Sequence, residues 1–329
     1  MLAVTACGHA APNLAKPGVT LSPGSPSASP SDRAVSSDRQ AFPLTGLRAS
    51  GAAAARPAVA LLVGGPAPQG LGSADVVFQE ATAPVRYVAL YQSRSARNVG
   101  PITTTQPADR ELLPLLHPVV GYNGAITTYI SAQLGKTKNI TDAGYTVDPS
   151  LYATGPAGLT TSTQAIAAVG SKDTAPPPLY TYRGTGSAGT TLAASGQWHP
   201  TSATLTIPGL GTQTWSFDAH ADRWTLTGGG PRVQVANLVV QTVSYSTHVL
   251  NPKHGTSVPE LQLLGSGHAE VLSGSAGGSA GTAASGTWSR QRVGQVTNYF
   301  DSSGSPMAFQ PGPTWVILAP AGTQVSTSG

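Results

Sequence analysis

Four carboxylates gather around one short stretch of the chain: Asp75, Glu80, Asp109 and Glu111. Paired carboxylates are the groups that cut glycosidic bonds, one giving a proton while the other acts as base or nucleophile. Each of these four also has a plainer employment. Asp75 opens a strand, Glu80 is followed six residues later by Arg86, and Asp109 and Glu111 fall in the first turn of a helix beginning near Pro107. Negative charge is favoured there by the helix dipole. Beside them stand groups that hydrogen-bond without charge. A cleft where Glu80, Arg86, Gln92, the Gly100-Pro101 turn, Thr103 and Asn123 converge would orient a neutral polymer or a peptide. These are the expected ligand-binding residues, and none is assigned a catalytic role.

Other chemistry finds less support in the sequence. The chain has no phosphate loop and no His-Glu-x-x-His helix. His254 lies in the polar turn Asn251 to Thr256 with His248 just before it, and solvated histidine is common in such turns. Neither they nor His268 are assigned to a metal. His117, between Leu116 and Pro118, reads as a helix-end residue. No cofactor is expected.

The elements that would position these groups are mostly strands. Val85, Tyr87, Ala89 and Tyr91 alternate with Arg86, Val88, Leu90 and Gln92, the period-two pattern of a largely buried strand. Asp75 to Glu80 reads as a partner strand, and the turn at Ala83-Pro84 sets Glu80 against Arg86 as an ion pair. Ala58 to Val63 and Val119 to Tyr122 complete the strands of a first domain, residues 41–182. Helices are expected over Pro107 to Leu113, over the helix-spaced Ile126, Tyr129, Ile130 and Leu134, and over Thr161 to Val169 before Gly170. Strands and helices in this order predict a mixed α/β layer structure.

Residues 183–199 are small and polar and read as a linker. Beyond them, in residues 200–329, nine short strand candidates separated by Gly, Pro, Asp and Ser turns predict a β-rich second domain, a sandwich or curled sheet. Its Trp215, Trp224, Trp288 and Trp315 are expected to fill a core, and Gly274 to Ser285 to form a low-complexity hairpin tip. The fold class expected for the whole chain is therefore α+β, an α/β domain followed by a β-rich one.

Composition narrows the function. Only 10% of the 329 residues are charged, against about a quarter in an average soluble domain, and small polar residues take their place. That balance suits an exported protein. The formal net charge of +4 comes from scattered basic residues, with Arg94, Arg97 and Arg110 the nearest thing to a cluster. A nucleic-acid partner needs a dense basic face and is not expected. The single cysteine, Cys7, excludes an intrachain disulfide. Leu2 to Gly8 places small residues just before Cys7, which resembles the lipobox at which bacterial lipoproteins are cut and acylated, and the Pro/Ser-rich residues 8–40 read as a tether. A lipid at Cys7 would supply the membrane anchor, since no segment reaches the roughly 18 consecutive apolar residues that span a bilayer.

Several short motifs in order carry a resemblance. Pro43-Leu44-Thr45-Gly46, Arg56-Pro57, Gly72-Ser73-Ala74-Asp75-Val76-Val77-Phe78-Gln79-Glu80, Arg86 with Leu90-Tyr91-Gln92-Ser93, and Gly100-Pro101 are followed by Val235 to Val240, Gly286-Thr287-Trp288-Ser289 and Pro311-Gly312-Pro313-Thr314-Trp315. Together, over residues 41–320, they resemble the YerB-like bacterial lipoproteins, whose two adjoining regions are both domains of unknown function. The resemblance implies an envelope lipoprotein on the outer face of the cell membrane and names no reaction. Two departures stand out. The family pattern continues after Gly-Pro with a hydrophobic residue and Arg-Ser-x-Arg-Pro, where this chain has Ile102 to Pro107 without arginine; and Asp148-Pro149-Ser150-Leu151-Tyr152 replaces Pro-His-Asn-Leu-Tyr. A polar site built on those groups is either lost here or retuned for a less charged ligand. The expected function is a lipid-anchored, extracytoplasmic binding or scaffolding protein of the bacterial envelope, with an envelope polymer or another envelope protein as partner. The alternative is an envelope glycan or peptidoglycan hydrolase.

Overall fold

Val59, Leu61 and Val63 alternate with Ala60 and Leu62, and both sets are buried, in two different hydrophobic clusters. A strand with both faces apolar belongs in the middle of a layered structure. The computed structural model describes residues 40–124, 139–170, 173–184, 197–251 and 256–329 and places this strand, β1 (Val59–Gly64), inside a mixed ten-stranded sheet. The first half of the chain supplies β1, β2 (Val76–Glu80), β3 (Arg86–Tyr91), β4 (Val119–Gly121) and β5 (Thr141–Asp142), and adds the small hairpin of β6 (Tyr152–Gly155) and β7 (Gly158–Thr161). The second half contributes β8 (Ser202–Ile207), β9 (Gly211–Asp218), β10 (Arg223–Gly228), β11 (Gln234–Val235), β12 (Asn237–Thr242), β13 (Ser244–Asn251) and β14 (Thr256–Gln262). It ends with β15 (Gly265–Ser273), β16 (Thr282–Arg290), β17 (Asn298–Asp301), β18 (Thr314–Ala319) and β19 (Gln324–Ser328).

The order across the large sheet is β17-β16-β15-β12-β18-β2-β3-β1-β4-β5. Strand β18 runs parallel to both β12 and β2, so one hydrogen-bonded ladder passes from the second half of the chain into the first. On one face lies the five-stranded sheet β11-β10-β9-β8-β19, whose Leu205, Trp215, Trp224 and Leu226 pack against Leu61, Tyr87, Trp315 and Ile317. The other face is covered by Leu112, Leu113 and Leu116, by Tyr180, Tyr182 and Phe309, and by Leu261 of β14. All four tryptophans expected in the core are buried, none above 2% exposed.

The expected α+β class, with a mixed α/β first domain, is overturned. The described residues are β-rich, 45% strand against 9% helix, and hold two short α-helices, α1 (Asp109–Leu112) and α2 (Thr163–Val169). Local chemistry explains their brevity. Pro114 has no N–H to continue α1, which gives way to a single 3-10 turn over Pro114–Leu116. Helix α2 starts where Ser162 accepts a hydrogen bond from the Ala165 N–H and stops at Gly170. A Cβ at Gly170 would lie 2.2 Å from Val119 Cγ2, so that stop is fixed by close packing. The layers on the large sheet are thus a second sheet and irregular segments instead of helices. The helix expected around Ile126 to Leu134 lies outside the described residues, as do Cys7, the tether and most of the 183–199 linker. The low-complexity tip is shorter than expected: Thr282 to Ser285 are paired in β16, leaving residues 274–281 as the turn. His117 follows the 3-10 turn with φ 47°, as a helix-end residue should.

Candidate functional site

Arg86 opens β3 directly across from Glu80, the last residue of β2. Its Nη1 donates to Glu80 Oε1, and its Nη2 donates to both oxygens of Asp109, at 2.7 and 2.6 Å. The Nε reaches the Thr104 carbonyl at 3.3 Å. Asp109 also accepts the Gln106 N–H at 2.7 Å just before α1, and its pairing with Arg86 ties that helix to the start of β3. All three charged side chains are buried, so the expected Glu80–Arg86 pair exists as part of a three-membered cluster inside the protein. Two carboxylates share one guanidinium. Burial, reinforced by the Asp109 charge, raises the Glu80 carboxyl from 4.5 to about 7.

The other expected residues divide between this end of β3 and places beyond it. Thr103 and Asn123 are joined by Asn123 N–H donating to the Thr103 carbonyl at 2.9 Å, while the Thr103 N–H donates to Leu62 of β1 at 2.8 Å. Gly100 and Pro101 carry an edge segment: Gln69 N–H donates to the Gly100 carbonyl at 2.6 Å and Gly64 N–H to the Pro101 carbonyl at 2.9 Å. Next to them an open groove of about 690 Å³ is walled by Pro66, Pro68, Pro84, Val85, Tyr87 and Pro231. Gln92 stands apart. Six residues along an extended strand separate it from Arg86, roughly 20 Å. The single cleft expected from sequence is therefore two regions at opposite ends of β3.

At the Gln92 end, Asp75 acts as a backbone clamp. Its Oδ2 accepts the N–H groups of Gln92 and Ser93, each at 2.6 Å, and its Oδ1 accepts the Ser93 hydroxyl. Burial still holds this carboxyl above its ordinary value. The Gln92 side chain is 5% exposed and its Nε2 donates to the carbonyls of Ala54 and Arg56, at 3.2 and 2.9 Å. Its Oε1 is buried and has no donor among the described residues. Gln92 lines a cavity of about 240 Å³ together with Arg56, Arg94, Ser95, Gln164 and the apolar Val59. Arg56 Nη2 donates to the Gln92 carbonyl at 2.8 Å and Arg94 Nη2 to the Ala74 carbonyl at 2.9 Å. Neither guanidinium forms a salt bridge among the described residues, while the Asp75 carboxyl feels the charge of Arg94.

Arg56, Arg94, Ser95 and Gln164 were not among the expected ligand-binding residues. Arg56 lies 36 positions before Gln92, Gln164 lies 72 after it, and no spacing rule links them. The available signal was the Arg56-Pro57 motif together with Arg94 in the one basic cluster.

Two family profiles decide the relationship. Residues 44–173 match the N-terminal domain, and residues 206–316 the C-terminal domain, of a protein of unknown function, DUF3048. The chain belongs to the YerB-like DUF3048 family. In fold it is similar to the crystal structure of the YerB protein from Bacillus subtilis, with a TM-score of 0.67 and 18% identity over 88% of this chain and 100% of that one. No protein of curated function matches significantly. The family motifs prove to be framework: Asp75 clamps a turn, Glu80 and Arg86 belong to the buried cluster, and Asn237 accepts from Ser273 Oγ and Gln310 N at 2.8 and 2.9 Å. Gln92 differs in having an amide oxygen left over. Among the described residues no three His, Cys, Asp or Glu side chains gather as metal ligands, and no helix is long and apolar enough to cross a membrane.

Proposed function

We propose that this chain is a lipid-tethered, extracytoplasmic binding module of the bacterial envelope, and that it holds its ligand in the cavity at Gln92. One observation carries the reading: Gln92, whose buried amide oxygen has no donor among the described residues, lines a cavity that also presents two guanidinium groups free of salt bridges among those residues. An unpaired buried acceptor costs about 1–3 kcal/mol, and a ligand N–H or O–H would relieve that cost. The lipobox-like residues before Cys7 and the Pro/Ser-rich tether support the location.

The carboxylates considered for a hydrolase lend that alternative no weight. Glu80 and Asp109 are committed to Arg86, Asp75 holds backbone N–H groups, and Glu111 accepts the Leu263 N–H at 3.3 Å.

The test is retention of the full chain on insoluble envelope polymer. The wild type should sediment with the polymer, and Arg94→Gln, a change at an exposed residue, should cut the bound fraction at least tenfold. Equal retention of the two proteins would remove the cavity from the function. Mass spectrometry of native material should find acyl chains on Cys7, and an unmodified thiol would refute the tether.

A further inference from the structure

We infer that the cavity at Gln92 accepts the carboxy-terminal residue of a peptide, with the terminal carboxylate on Arg56 and Arg94 and the last peptide N–H on Gln92 Oε1. The inference rests on the binding reading above and adds the chemical class of ligand.

The lining states what the ligand must offer. Arg56 and Arg94 supply N–H donors on fixed positive charge, and guanidinium matches the planar geometry of a carboxylate. Both are already oriented by backbone carbonyls, Arg56 by those of Ala53 and Gln92 and Arg94 by that of Ala74, so less side-chain freedom is lost on binding. Gln92 Oε1 demands a donor. A phosphate or sulfate presents acceptors only and would leave that oxygen unpaired. A free amino acid would bring an ammonium group to a cavity lined, among the described residues, by two arginines and by no carboxylate. The last residue of a peptide has the required pair, an acidic carboxylate and an uncharged N–H on adjacent bonds.

Size and polarity limit the residue further. A volume of about 240 Å³ lies below the usual range of about 300–1,000 Å³ for small-molecule pockets and suits one or two small residues. The apolar wall is formed by Pro57, Val59 and Ala167, with Tyr91 beside them, its hydroxyl donating to the Gly70 carbonyl at 3.2 Å. A short side chain such as a methyl group fits against such a wall. On this view the envelope component recognised is a peptide end and not a glycan chain.

Calorimetric titration of the full chain tests this with three probes: N-acetyl-Ala-Ala, its carboxy-terminal amide, and a peptide-free wall glycan. The acid should bind, and the amide should bind at least tenfold more weakly. Arg94→Gln should lose a similar factor, Arg94→Lys should recover part of it, and Arg97→Gln, outside the cavity lining, should leave affinity unchanged. Equal binding of acid and amide overturns the inference. Binding of the glycan without the dipeptide also overturns it, while leaving the binding function standing. Failure of all three probes and of whole envelope polymer removes both readings.

Discussion

Nη2 of Arg86 donates to both carboxylate oxygens of Asp109, at 2.7 and 2.6 Å, where the aspartate is fully buried and the arginine almost so. The contact joins a strand of the large sheet to the short helix α1, with 23 positions of chain between them. Its neighbour Glu80 completes a group with one positive and two negative charges.

Removing Asp109 leaves Arg86 with a single carboxylate and frees the Gln106 N–H. Breaking a buried ion pair from one side costs about 3–5 kcal/mol. With Glu80 still paired to Arg86 that figure is a ceiling, and Asp109→Ala is expected to lower unfolding stability by about 1–3 kcal/mol in a urea titration near neutral pH. A change below about 1 kcal/mol would show that the cluster contributes little to the core.

The same cluster sets a pH dependence. The folded Glu80 carboxyl is raised from 4.5 to about 7 by burial, so between those values the folded state holds a proton that the unfolded state has lost. Its contribution is fully present below about 4.5 and disappears as pH rises through about 7. The steepest slope is about 1.4 kcal/mol per pH unit. Asp75, Glu111 and Glu270 are also raised by burial and act with the same sign. Thermal unfolding should therefore move to lower temperature as pH climbs from 5 to 8, and Glu80→Gln should flatten that trend and be more stable than wild type at pH 8. An unchanged slope in the variant would exclude Glu80 as its source.

Two core tryptophans separate packing from hydrogen bonding. Trp315 Nε1 donates to the buried Gln79 Oε1 at 2.8 Å, whereas Trp215 Nε1 is buried without a partner among the described residues. Their rings meet edge to face, with centroids 6.1 Å apart. Trp315→Phe loses ring volume and weakens the pairing of a buried amide, an added cost of about 1–3 kcal/mol. Trp215→Phe loses volume alone. Chemical denaturation should rank Trp315→Phe as the more damaging change, and the reverse order would mean that cavity formation outweighs the hydrogen bond.

How much of this was legible in the sequence depended on the range of the interaction. Period-two alternation located β3, and apolar runs bounded by turn residues located β1 and β2, each within a residue or two, because one strand's burial is written in its own side chains. The Glu80–Arg86 pair was legible because a tight turn brings the two together. Two things were not. Nothing local indicates that Thr314–Ala319 pairs with Val76–Glu80, across some 240 positions, or that a second sheet instead of helices covers the large one. The cavity at Gln92 likewise draws Arg56, Arg94 and Gln164 from three separate segments, and only the fold makes them neighbours.

Strand β18 is the seam of the molecule, and synthesis delivers it late. Until residues 314–319 arrive, β2 and β12 each offer a bare row of backbone donors and acceptors, the kind of edge on which chains stick to one another. An amino-terminal fragment ending near residue 182 would be left with that raw edge beside Trp315's empty place against Tyr87. A nascent chain that carries β2 and β12 but not yet β18 is therefore the form most open to pairing with its neighbours.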